Sequence, residues 1–206
     1  MSFVQSQKKR VGIFGGTFDP PHHGHLILAE CALYELALDE IIFAPVGAPP
    51  HKLTETRITT DQRVEMTRIA IADNPHFKLS LADVNRPAPH FTVDLLKILH
   101  HEMPDDTLVF LMGADSLHDL PHWDRPSELV LYAELGVMNR MKIALDYAML
   151  ESYIPGITAR VFEFDAPLIE ISSTDIVARL RKGQSARYLL PDSVLEYIHQ
   201  SKLYQE

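Results

Sequence analysis

Gly15-Gly16-Thr17-Phe18-Asp19-Pro20-Pro21-His22-His23-Gly24-His25 lies between two segments of different period. Before it, Val11–Phe14 is a short apolar run of strand character. After it, His25–Leu38 repeats its apolar residues at helical spacing. The stretch therefore reads as a strand end, a turn and a helix start. Gly15 and Gly16 let backbone come close to an anion. The first turn of a helix adds unpaired N–H groups and the positive end of its dipole. His22 and His25, one turn apart, can address the same group. A polyphosphate suits this combination above other ligands.

The same alternation continues outward. Val11–Phe14, Glu40–Pro45, Phe77–Leu81, Leu108–Met112, Leu135–Met138 and Val161–Phe164 read as strands, short and almost continuously apolar. His25–Leu38, Asp61–Asp73, Thr92–His101 and Ser127–Tyr132 read as helices between them. This pattern predicts an α/β domain, a mostly parallel sheet covered by helices on both faces. Ligands in such sheets bind beyond the carboxyl ends of the strands. The glycine pair follows the first strand and Gly113-Ala114-Asp115 the fourth, so both fall on one edge. Ser173–Leu180 and Pro191–Gln200 add a small C-terminal helical region. Residues 1–9 are expected to form a flexible tail, and 10–206 a single domain.

Composition narrows the class. With 19 Lys and Arg against 28 Asp and Glu, the net charge is −9. A nucleic-acid coat needs clustered cations, so no nucleic-acid partner is expected. No apolar run reaches the ~20 residues of a membrane span, and Lys8-Lys9-Arg10 leads into no secretory core. The single cysteine, Cys31, lies in an apolar helical run; it excludes an intramolecular disulfide and fits a reducing cytoplasm. His22, His23 and His25 lack the further ligands zinc requires, so no protein-held metal is expected.

The opening stretch resembles the G-G-[TS]-F-D-P-x-H-x-G-H signature of bacterial nicotinate-mononucleotide adenylyltransferases, within the nucleotidyltransferase superfamily that carries H-x-G-H. Three further segments follow in family order. Ala48-Pro49-Pro50-His51-Lys52 is similar to a P-P-H-K loop. Met112-Gly113-Ala114-Asp115-Ser116-Leu117 with Trp123 is similar to G-x-D-x-[LF]…W. Ile171-Ser172-Ser173-Thr174-Asp175-Ile176 is similar to I-S-[SA]-T-x-[IL]. The resemblance spans nearly the whole chain and implies a Rossmann-like, doubly wound fold. It also implies AMP transfer from ATP to nicotinate mononucleotide, with Mg²⁺ accompanying ATP. Amidated nicotinamide mononucleotide or phosphopantetheine as acceptor, or a nucleotide-binding protein without turnover, are the alternatives.

The resemblance assigns His22 and His25 to the ATP phosphates, as catalytic residues. It puts Gly15, Gly16, Thr17, Phe18, Gly24, Gly113, Asp115, Ser172, Ser173 and Thr174 at the ATP site. Lys52, Thr92 and Trp123 fall on the mononucleotide side, Lys52 at a phosphate and Trp123 stacked on the pyridine ring. Thr92 reads equally as a helix N-cap. Two departures stand out. The family's arginine after I-S-S-T-x-I is Val177 here; Arg181, one turn on, is expected to take its place at the triphosphate. Phe91 replaces the family's usual tyrosine. Met138-Asn139-Arg140-Met141-Lys142 also departs from the family's R-P-G-like turn.

Overall fold

The computed structural model describes residues 8–47, 58–138 and 145–205. Six strands form one all-parallel sheet: β1 (Arg10–Gly16), β2 (Glu40–Pro45), β3 (Phe77–Leu79), β4 (Thr107–Gly113), β5 (Glu134–Met138) and β6 (Val161–Phe164). Their spatial order is β3-β2-β1-β4-β5-β6. The chain runs outward from β1 through β2 to β3, then returns to β4 beside β1 and continues the other way. The β1/β4 boundary is therefore the switch point, where a doubly wound sheet opens a crevice at its carboxyl edge. Gly15-Gly16 end β1 and Gly113 ends β4, so both glycine motifs flank that crevice as expected.

The strands other than β3 divide their side chains between two cores. On β2, Ile41 and Phe43 face one, Ile42 and Ala44 the other; on β4, Val109 and Leu111 separate from Leu108, Phe110 and Met112. The first core packs under α1 (His23–Glu35), α2 (Thr60–Ala70) and the C-terminal helices α7 (Ser173–Arg181) and α8 (Asp192–Gln200). The second packs under α3 (Thr92–Glu102), α4 (Ala114–Asp119), α5 (Pro126–Tyr132) and α6 (Tyr147–Tyr153). Cys31 packs against the first core, and burial, followed by Glu35 and Glu30, pushes its thiol pKa up.

Several boundaries move for local reasons. α1 starts at His23, because His22 is still extended (φ −146°, ψ 169°) and serves as the N-cap. It ends at Glu35, since Ala37 takes a left-handed φ of 49° and the Leu38 N–H returns to the Leu33 carbonyl. α2 stops at Ala70 rather than Asp73 and β3 at Leu79 rather than Leu81. α4 and α6, too short to show a period, were not legible as helices. Lys9, expected in the tail, is already engaged: its carbonyl accepts from Thr107 N and its N–H donates to Asp106. Among the described residues no helix is long and apolar enough to cross a membrane.

Candidate active site

The turn between β1 and α1 has a cavity on each side. The larger, about 760 Å³, is walled by Gly15, Gly16 and Thr17 from this turn and by Phe91, Thr92, Phe110 and Trp123 from the second core's side. The smaller, about 310 Å³, is walled by His22, Gly24 and His25 and by Ser172, Ser173 and Thr174 at the start of α7. One eleven-residue motif thus contributes to both cavities. Of the proline-containing loops that read from sequence as candidate substrate loops, Pro45–Pro50 and Pro121–Pro126 give Val46 and Asp124 to the larger cavity, while Arg86–Pro89 lines it only through the adjoining His90.

The two histidines are arranged by the helix start itself. The His22 N–H donates to His25 Nδ1 at 3.2 Å, the reciprocal half of a capping interaction. Their rings stack with centroids 3.7 Å apart and planes 23° from parallel. His22 is only 6% exposed, so its ring does not lie free in solvent at the helix start. Burial of the ring, and then the neighbouring His22, lowers the His25 pKa from 6.5 to about 3. His25 is therefore neutral near pH 7. With Nδ1 accepting a backbone N–H, its proton belongs on Nε2, which makes that nitrogen a donor. Phe14 and Phe18 pack against the same ring.

The turn is held from several elements. Arg63 of α2, 2% exposed, donates to the carbonyls of Thr17 (2.8 Å), Val46 (2.8 Å) and Gly47 (2.7 Å). The Ser173 hydroxyl donates to the Pro20 carbonyl at 2.8 Å, and the His23 N–H to the Leu189 carbonyl at 3.1 Å. The Tyr204 hydroxyl donates to the Asp19 carboxylate. Phe18 takes a φ of 51°, a left-handed value rare for a bulky side chain, and its ring is buried in the first core.

A second buried cluster shapes the larger cavity. Asp83 Oδ2 accepts from the Gly47 N–H (2.9 Å) and has His90 Nδ1 at 3.1 Å, while Oδ1 pairs with Arg86 (2.7 Å). Arg86 also donates to the Phe91 carbonyl at 2.9 Å, fixing the segment that enters α3. The His90 ring covers Gly47 so closely that a Cβ there would lie 2.3 Å from Cε1. Trp123 meets Phe110 edge-on at 6.3 Å between centroids.

The remaining sequence candidates distribute unevenly. Thr92 lines the larger cavity but is not the cap of α3; Phe91 holds that position and Thr92 is the first helical residue. Ser172 caps α7, accepting from Asp175 N at 3.1 Å. Gly113 caps α4 and Asp115 lies in that helix's first turn, exposed and outside both cavity walls, with its carboxylate folded over Gly113. Val177 packs partly buried against the first core. Arg181 is exposed and is not among the residues lining the smaller cavity. Lys52 and the 139–142 departure lie outside the described residues. Arg63, Asp83, His90 and Tyr204 were not singled out from sequence. Only the Asp83-x-x-Arg86 spacing carried any signal for them.

A doubly wound sheet with an H-x-G-H helix start at its switch point defines a nucleotidyltransferase, and residues 13–179 match the cytidylyltransferase-like family model. Relatives narrow this further. A probable nicotinate-nucleotide adenylyltransferase of Thermomicrobium roseum is 46% identical over 95% of this chain and 92% of its own. The nicotinate-nucleotide adenylyltransferase of Bacillus subtilis is 40% identical over 96% and 99%. This chain belongs to the nicotinate-nucleotide adenylyltransferase family. The same fold occurs in the Plasmodium falciparum nicotinic acid mononucleotide adenylyltransferase complexed with NaAD, with a TM-score of 0.74 at 22% identity, covering 95% of this chain and 97% of that one.

Proposed function

We propose that this protein transfers AMP from ATP to nicotinate mononucleotide, giving nicotinate adenine dinucleotide and pyrophosphate in NAD biosynthesis. The observation that carries this reading is the pair of cavities meeting across the one turn between β1 and α1. Two polyanionic substrates must be brought together, and the turn supplies the shared wall. The reaction breaks the bond between the α-phosphorus and the oxygen leading to the β-phosphate. A phosphate oxygen of the mononucleotide forms the new bond, and the electron pair leaves with pyrophosphate. That oxygen is already anionic at neutral pH, so no general base is needed. Positioning and charge stabilisation supply the rate.

The mononucleotide is assigned to the larger cavity, its pyridine ring against Trp123, with Thr92 beside it and Lys52 on its phosphate. ATP is assigned to the other side of the turn, with its triphosphate between His22, Gly24, His25 and the Ser172–Thr174 helix start. Gly15, Gly16, Thr17 and Phe18 shape the turn between them, and Gly113 and Asp115 adjoin the adenylate. A neutral His25 donating from Nε2 suits charge that grows at the phosphates during transfer. Among the described residues no group of three or more His, Cys, Asp or Glu converges to hold a metal. A divalent ion, Mg²⁺ in this reading, accompanies ATP and is held mainly by its phosphates and water.

His25→Ala tests the assignment. It should lower kcat by about 100-fold, with smaller changes in the KM for either substrate. An enzyme whose kcat is unmoved removes His25 from the reaction.

A further inference from the structure

We infer that Tyr204 is a positioning residue for the transfer, acting through Asp19 on the anion-binding turn. The inference rests on the adenylyl-transfer reading above. Asp19 lies in the middle of the motif, 185 positions from Tyr204, and the Tyr204 hydroxyl donates to its carboxylate. The Tyr204 side chain is buried, and the residue is 6% exposed. Burial first, and then Asp19, raises the phenol pKa well above its ordinary range, so the hydroxyl stays a donor at any working pH. The backbone is bent to deliver it: after α8, Lys202 and Tyr204 both take left-handed φ values, 53° and 59°. Such values cost energy in residues other than glycine and persist where the surroundings enforce them.

The other tethers on the turn leave a gap that this contact fills. Arg63 holds the Thr17 carbonyl, Ser173 holds the Pro20 carbonyl and Leu189 holds the His23 N–H. All of these grip backbone on either side of Asp19. At Asp19 the grip is on a polar side chain instead, and Arg63 adds its charge beside that carboxylate. Thr17 faces the larger cavity and His22 the smaller. A shift of the residues between them moves the two walls relative to each other. Displacements of that kind away from the reacting atoms can cost roughly 100-fold in rate, because reaction needs near-attack geometry. Neither cavity is lined by Tyr204, so ground-state binding should be spared.

Tyr204→Phe removes only the hydroxyl. The expected result is a fall in kcat of about tenfold, with KM for ATP and for the mononucleotide each within about twofold. Combined with Asp19→Ala, which removes the acceptor, it should cost little beyond Asp19→Ala alone, since both changes break one contact. Leu203→Ala, which loosens the same segment but keeps the hydroxyl, separates positioning from stability. It should lower the melting temperature and leave kcat close to wild type. An unchanged kcat in Tyr204→Phe, multiplying losses in the double variant, or an equal loss in Leu203→Ala would each overturn the inference. Wild-type protein that turns over no mononucleotide would instead overturn the reading on which it rests.

Discussion

A neutral His25 has a consequence that can be read in stability. Its pKa is lowered from 6.5 to about 3 by burial and by His22. Between those values the unfolded chain binds a proton that the folded chain refuses. Stability from this residue is therefore complete above pH 6.5 and is lost as pH falls towards 3. His25→Gln should flatten that part of the curve relative to wild type, measured by urea unfolding between pH 4 and pH 7. Parallel curves for the two proteins would mean that the ring is protonated when folded. The identity of His25 was legible because the motif is contiguous in sequence. Its charge state was not, since that depends on Phe14, Phe18 and His22 packing around it. Tyr204 was still less legible: its partner lies at the far end of the chain, and no local pattern links them.

At the scale of elements, the four central strands were readable because each is buried on both faces and so almost wholly apolar, while the edge strands β3 and β6 expose Lys78, Phe162 and Glu163. Helix ends were less so. α1 starts two residues early because His22 itself serves as the cap, and Thr92 yields the cap of α3 to Phe91. Arg63 shows the limit of pattern reading. It sits on a polar, exposed-looking stretch of α2, yet it is buried and joins the β1–α1 turn to the end of β2. Arg63→Ala leaves the Thr17 and Val46 carbonyls without their donor and the Gly47 carbonyl with the Thr60 hydroxyl, and should destabilise the fold by roughly 3 kcal/mol or more. Arg63→Lys should recover little, because an ammonium cannot reproduce the planar fork. Urea unfolding that finds a loss under about 1 kcal/mol for Arg63→Ala would show that the turn is held without it.

For the whole molecule, the strand order brings the ends of β1 and β4 together, and the covering layers leave a cavity on either side of the turn between β1 and α1. The alternation of strands and helices announced that arrangement, and the position of the glycine motifs in it. The division into two cavities was not announced, because Asp83 and His90 of the β3–α3 connection and Phe110 of β4 shape the larger one from distant parts of the sequence. A net charge of −9 is no obstacle to two anionic substrates, since short-range donors at the turn act where the charge is. The most direct test of AMP transfer across this turn is a product assay on purified protein. ATP and Mg²⁺ are supplied with nicotinate mononucleotide or, separately, its amide, and dinucleotide and pyrophosphate are resolved by chromatography. The account predicts equal amounts of dinucleotide and pyrophosphate, formed fast from the acid and slowly from the amide. A folded protein that binds ATP but forms neither product from either mononucleotide would contradict it.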